Sequence, residues 1–242
     1  ARVVYLIQDF EPGFVPWSTD YALAADTYTA GFIPLVNSSA VARMLESEAN
    51  LTVPREQVFA PDLDVDRLAE LAARRTPGNP PRVLVYARPS KPRNLFTFGR
   101  AALNAAALRL PDEVDFVAAG EPVPRDDTGP LRSLGRLSWD AYFDLLADVD
   151  VVVSLQLSAH PSHPPLEAAV SGALAVTNEF GGTRAGLHRR LMAVDLSLDA
   201  LSDAIVDAVR CAPSRDTTFG PIKPGALGGP LDAAVQAVAR QL

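Results

Sequence analysis

Three cations, Arg88, Lys91 and Arg93, stand within six residues, and about seventy residues later come His160, Ser162, His163 and Glu167 around the pair Pro164-Pro165. Guanidinium groups present flat forks of donors that match phosphate oxygens. Proline suits a first helical turn, where its missing N–H would be unbonded anyway, so Pro164 and Pro165 predict a helix start with Glu167 inside the first turn. Backbone N–H groups at such a start, aided by the helix dipole, form an anion site. Cations on one side and helix amides on the other suit a diphosphate. The competing reading of Arg88 and Arg93 is a solvated turn. His160 and His163 lie close together, but no metal is assigned to them.

These residues must be held by elements that the apolar pattern predicts. Strands are expected near 3–8, 33–37, 57–60, 83–87, 115–120, 131–137, 151–155, 174–178 and 192–195. Between them helices are expected over about 19–30 (capped by Ser18), 40–49, 95–109, 139–148 (capped by Ser138), from Pro164 to a stop at Gly172, and from a Ser197 cap to 211. Strict alternation of this kind specifies an α/β fold with a doubly wound parallel sheet. In such a sheet the ligand lies beyond the carboxyl ends of the strands, which is where Arg88–Asn94, Glu121, Gly135-Arg136-Leu137 and the 160–163 loop fall. Thr76-Pro-Gly-Asn-Pro-Pro81 is the clearest punctuation. The expected division is a first segment over 1–60, a linker over 61–81, a second domain over 82–212, and a Pro/Gly-rich tail over 213–242 with a helix at 231–241.

Composition sets the outer bounds. With 242 residues, 48% hydrophobic and 21% charged, the chain reads as globular rather than disordered. A formal charge of −7 argues against a general nucleic-acid binder. No apolar run reaches membrane-spanning length. The single cysteine, Cys211, excludes an intrachain disulfide and fits a helix-packing role. No Gly-x-Gly-x-x-Gly turn follows either strand 3–8 or strand 83–87, and a P-loop and a Gly-x-Ser-x-Gly elbow are also missing. Dinucleotide oxidoreductases, P-loop NTPases and α/β-hydrolases are thereby disfavoured.

Three blocks in order carry a family resemblance: Tyr5-Leu-Ile-Gln8-Asp9-x-Glu11-Pro12; Tyr86-Ala-Arg88-Pro89 with Arg93-Asn94; and His160-Pro-Ser-x-Pro-Pro-Leu-Glu167, continued by Gly172 and Val176-Thr177. The chain resembles retaining GT-B glycosyltransferases of the glycogen-synthase-like family four, and within them the WsaF-type rhamnosyltransferases, over Val4 to about Asp195. The resemblance implies a hexosyltransferase of polysaccharide biosynthesis that uses a nucleotide-sugar donor, dTDP-L-rhamnose, a glycan acceptor and no cofactor. Its Rossmann-like donor domain would be 82–212, with 1–60 as the C-terminal part of the acceptor domain. Carried over by position, Arg88, Arg93 and Lys91 bind the diphosphate, Glu167 accepts hydrogen bonds from the sugar hydroxyls of the nucleotide, and Gly135, Arg136 and Leu137 cradle the base. His160, Ser162, His163, Pro164 and Leu166 are candidates for donor sugar or phosphate, and Gln8, Asp9 and Glu11 for the cleft.

Two departures qualify this picture. Where the broader family has a glutamate eight residues before Glu167, this chain has Ala159. The opening segment is also short for a complete acceptor domain, so an isolated chain is expected to bind donor without transferring sugar. Self-association, or contact with a missing upstream half, would cover its exposed sheet. Trp17, Phe10 and Phe14 are either acceptor contacts or core. A cytoplasmic site of action, at the inner face of the membrane, fits the donor chemistry. The runner-up readings are a sugar-nucleotide epimerase of the same fold and a non-catalytic nucleotide-sugar-binding module.

Overall fold

Strands buried on both faces read as continuous apolar runs, and Ile33-Pro-Leu-Val and Val151-Val-Val are such runs. The computed structural model describes residues 2–110, 114–123, 129–214 and 216–242. It divides into a first unit, residues 1–62, 158–161 and 223–242, and a second, residues 63–157 and 162–222.

The first unit opens with β1 (Val4–Ile7), α1 (Thr19–Asp26), β2 (Ile33–Asn37), α2 (Ser39–Ala49) and β3 (Val58–Phe59). The strands form a parallel sheet in the order β1-β2-β3, with Leu6 opposite Leu35 and Val36 opposite Val58. Ser18 caps α1 through its Oγ, which accepts from the Tyr21 N–H at 3.3 Å. The helix stops at Asp26 rather than 30, and a 3-10 turn, Thr27–Thr29, carries Tyr28 into the core, where its ring stacks on Phe10.

The second unit contains α3 (Val65–Arg74), β4 (Arg82–Ala87), α4 (Phe96–Ala107), β5 (Asp115–Gly120), β6 (Arg132–Gly135), α5 (Trp139–Asp148), β7 (Val151–Val153), α6 (His163–Val170), β8 (Leu174–Asn178), β9 (Leu191–Val194) and α7 (Leu198–Cys211). Its six strands are all parallel, in the order β6-β5-β4-β7-β8-β9. Helices α4 and α7 cover one side, burying Leu103, Ala106, Leu201, Ile205 and Val209 against Val83, Val85 and Val153. Each large apolar side chain so buried stabilises by about 1.5–3 kcal/mol.

Two stretches differ from the expected division. Residues 65–74, part of a charged amphipathic stretch assigned to the linker over 61–81, form a helix of the second unit that buries Leu68, Leu71 and Ala72. Arg75 just beyond it is 5% exposed and donates from Nε to Ser171 O at 2.9 Å, while its Nη atoms reach Leu146 O and Val149 O. One guanidinium thereby satisfies carbonyls left over at the ends of α5 and α6. The tail, set apart over 213–242, instead joins the first unit from residue 223. Gly229 makes a parallel bridge to Phe59, and α8 (Leu231–Ala239) buries Ala234 and Val238 against Leu35 and Phe59. Gly228, at φ +138°, permits this approach, since a Cβ there would lie 2.5 Å from the Phe59 carbonyl carbon. Local propensity could not show this, because the partner strand lies far away in sequence.

Candidate functional site

In the second unit the chain builds β4, β5 and β6 outward in one direction and then returns to lay β7, β8 and β9 on the other side of β4. Connections therefore diverge between β4 and β7, and the carboxyl ends of these two strands are the usual ligand position in an open parallel sheet. The segment after β4 carries Arg88, Lys91 and Arg93, and the segment after β7 leads into α6. A hydrogen bond from the Leu157 N–H to Arg93 O, at 2.7 Å, joins the two.

The cation segment is anchored by Glu121, one residue past β5. Its carboxylate accepts from the Ser90 N–H at 2.8 Å and the Ser90 hydroxyl at 2.7 Å, and Arg88 Nε lies 3.9 Å from it. The Ser90 donors, with Arg88 and Arg136 adding their charge, hold the Glu121 carboxyl below the usual carboxylate range. Gly120 makes this anchor feasible: at φ +130° its missing Cβ would fall 2.2 Å from Ala87 O, and the next N–H, of Glu121, bonds that same oxygen at 2.8 Å. Lys91 is exposed, while Arg93 is half-buried in a 3-10 turn over Pro92–Asn94. Gly135 ends β6 at φ +67°, next to exposed Arg136 and half-buried Leu137. Arg136, like Arg88, is close enough to act on Glu121. The structure thus brings Arg88, Arg136 and Ser90 around one carboxylate.

Helix α6 begins at His163, one residue earlier than expected, and buries every residue from Pro164 to Val170. That start shifts two expectations. Pro164 and Pro165 occupy the second and third helical positions and have no N–H, so two of the amides that a helix start would otherwise offer are missing. Glu167 is the fifth residue, at the opening of the second turn rather than in the first. It is 5% exposed, and Oε2 accepts from the Tyr142 hydroxyl at 2.7 Å. Burial raises its pKa, while the Tyr142 hydrogen bond and the charge of His163 pull the other way. Burial and the carboxylate together hold the Tyr142 phenol protonated far above its ordinary range.

The other candidates fall in the first unit. Asp9 is buried, accepts from the Phe10 N–H at 2.9 Å, and receives the Ser158 hydroxyl; the His160 N–H in turn donates to Ser158 Oγ at 3.1 Å. Glu11 receives the Tyr28 hydroxyl, Gln8 is exposed, and Phe10 is core, whereas Trp17 is 93% exposed. The 160–163 loop is therefore divided: His160 packs with Asp9 and Ser158, whereas Ser162 and His163 start α6. Among the described residues no group of three or more His, Cys, Asp or Glu is arranged to hold a metal ion. Two acids of Asp-x-Asp triplets are used structurally: Asp64 caps α3 by accepting from the Arg67 N–H, and Asp150 accepts from the Gly78 and Arg82 N–H groups. No helix among the described residues is long and apolar enough to cross a membrane.

Sequence reasoning missed Tyr142, and it missed the clamp behind the loop after β7. There Asn178 Oδ1 accepts from the Gln156 N–H at 2.8 Å, and fully buried Arg184 donates to Gln156 O at 2.9 Å. No local pattern marks these residues, because each acts on a segment more than twenty positions away.

Residues 81–206 match the family model described as WsaF, C-terminal domain, and residues 1–39 match the WsaF, N-terminal domain. The O-antigen biosynthesis protein RfbC of Myxococcus xanthus is 33% identical over 179 residues, which are 72% of this chain and 14% of that protein. Among solved structures, Anabaena Alr3699/HepE in complex with UDP and glucose superposes with a TM-score of 0.68 at 17% identity, over 99% of this chain and 71% of that one. WaaG, a glycosyltransferase involved in lipopolysaccharide biosynthesis, superposes at 0.61 and 14% identity, over 98% and 70%. The fold is accordingly of the GT-B type.

Proposed function

The chain belongs to the WsaF family, and from that membership we propose that it serves a glycosyltransferase of polysaccharide assembly by binding the nucleotide-sugar donor. The donor is dTDP-L-rhamnose, and the sugar passes to a glycan acceptor with retention of configuration and without a metal ion. The observation that carries this reading is the switch point between β4 and β7, where the Arg88–Arg93 segment and the start of α6, with buried Glu167 on it, follow adjacent strands. The name of the RfbC relative supports the polysaccharide setting, and the UDP in the HepE structure supports a nucleotide ligand.

The chemistry follows from where charge develops. As the bond from sugar to phosphate breaks, the leaving diphosphate gains negative charge and the sugar becomes oxocarbenium-like. Fixed cations at Arg88, Arg93 and Lys91, with the positive end of α6, then stabilise the transition state more than the ground state. Ser162 and His163 flank the diphosphate and sugar, whereas Pro164 and fully buried Leu166 support the turn that holds them; Glu167 accepts from the nucleoside hydroxyls, and Gly135, Arg136 and Leu137 flank the base. The site of action is cytoplasmic, at the inner face of the membrane.

A thermal-shift panel of dTDP-L-rhamnose, other dTDP sugars, UDP sugars and GDP sugars tests the donor. At a hundred times Kd a ligand adds about 2.7 kcal/mol, roughly a 5–10 °C rise in Tm for a chain of this size. A panel in which no nucleotide sugar raises Tm would end this reading. Rhamnosyl transfer is proposed for the longer polypeptide, since this chain spans 14% of RfbC. It is supported by β1, an edge strand whose Val4 and Leu6 are 36% and 49% exposed, a surface for a covering segment or a second copy. Equal transfer to a rhamnan glycan by this chain and by one extended upstream would remove the need for such a cover.

A further inference from the structure

We infer that Arg184 is a positioning residue for diphosphate binding: with Asn178 it clamps the loop after β7, and through a single peptide group of that loop it holds Arg93 in place. The inference rests on Arg93 being a diphosphate ligand.

The segment after β7 enters no helix until His163, so its backbone groups need partners from elsewhere. Side chains take both backbone groups of Gln156. Its N–H donates to Asn178 Oδ1 at 2.8 Å, and its carbonyl accepts from Asn178 Nδ2 at 3.1 Å and from Arg184 Nη2 at 2.9 Å. The next N–H, of Leu157, donates to Arg93 O at 2.7 Å. That N–H and the Gln156 carbonyl belong to the same peptide group. Because a trans peptide is planar, donors that fix the direction of its C=O also fix the opposite direction of its N–H. Arg184 therefore aims the donor that holds the cation turn.

Arg184 is itself fixed. It is fully buried, its Nη1 donates to Asn178 O, and its own N–H donates to Glu179 Oε1 at 3.1 Å. The same oxygen accepts from the Phe180 and Thr183 N–H groups at 2.7 and 2.9 Å, and Glu179 Oε2 accepts from the Ala185 N–H at 2.7 Å. One carboxylate thus folds the loop after β8 around a guanidinium whose rigid fork spans carbonyls of two segments, a geometry that the point charge of lysine does not reproduce. Ser90, at the other end of the cation turn, is held by Glu121. The turn is fastened at both ends, and the Arg93 end depends on Arg184.

The test is calorimetric titration with dTDP and with thymidine of the unmodified chain, of Arg184→Gln and Asn178→Ala, and of each combined with Arg93→Ala. Each clamp variant should lose about tenfold in dTDP affinity, roughly one charge-assisted hydrogen bond, and keep its thymidine affinity within about twofold. In the Arg93→Ala background the same changes should cost dTDP nothing further, since the group they place is gone; a merely structural clamp would weaken both ligands alike and add to the Arg93→Ala loss. Folded clamp variants that bind dTDP as the unmodified chain does, or losses that add, overturn the inference. Should the variants fail to fold, the unmodified chain decides: coupling is reciprocal, so bound dTDP should slow hydrogen exchange at the Leu157 amide about tenfold more than at the Ser154 amide, which bonds Val176 O at 3.1 Å. Equal slowing at the two amides overturns the inference and leaves the nucleotide site standing. Failure of the unmodified chain to bind dTDP ends the site reading and this inference with it.

Discussion

Replacing Gly120 by Ala joins the fold to the proposed site in one perturbation. The added Cβ would fall 2.2 Å from Ala87 O, where ordinary contact begins at 3.4 Å, at a φ of +130° that side-chain-bearing residues rarely adopt. Strain of that backbone kind costs about 1–3 kcal/mol, and forcing an atom into a packed interior costs about another 1–3 kcal/mol. We expect a loss near the middle of the combined range, about 4 kcal/mol, which lowers Tm by roughly 8–16 °C for a domain of this size. Gly135→Ala is the matched control: it shares a positive φ of +67°, but nothing lies within 4 Å of its Cβ, so it should cost only about 1–2 kcal/mol. Urea unfolding of both variants reads the difference. Relief of the clash would separate the ends of β4 and β5 and move Glu121 away from Ser90 and Arg88, so pyrophosphate affinity should fall in Gly120→Ala as well. Equal stability losses in the two variants would refute the argument that a close strand approach, rather than backbone conformation alone, fixes Gly120.

Other expected outcomes concern the charged groups. Glu167→Ala should weaken nucleotide binding by one to two decades, from one charge-assisted hydrogen bond of roughly 1.5–3 kcal/mol, with the second unit still folded; unchanged affinity by calorimetry would remove Glu167 from the site. Because burial raises the Glu167 pKa in the folded chain, that group favours the fold at low pH, and its contribution is lost as pH rises from the ordinary carboxylate value through the raised one. Nucleotide affinity should climb across the same window, and a Glu167→Gln variant with the same pH profile would contradict this assignment. Arg88→Ala or Arg93→Ala should weaken a nucleoside diphosphate far more than the free nucleoside, with Lys tolerated better at 93 than at 88; variants that bind the diphosphate as the parent does would return the segment to a solvated turn.

Alternation of apolar runs with capped amphipathic stretches was legible in the sequence because both signals are local. Ser18, Ser138 and Ser197 each cap the helix they announce, and the parallel sheet follows from strands that are apolar throughout. The order of motifs gave the family by resemblance, and the placing of Arg88, Arg93 and Glu167 after strands followed from the same alternation. What the sequence could not supply were pairings between distant segments. Whether the tail from 223 stands alone depends on Phe59 meeting Gly229. Whether α6 offers a ring of amides depends on starting at His163, which turns two prolines from ornaments of a first turn into missing donors. Whether Glu167 is already engaged inside the chain depends on Tyr142, twenty-five residues earlier on another helix. A hydrogen bond at 2.7 Å is decided by how two helices pack, and packing is a property of the folded chain that no local propensity encodes.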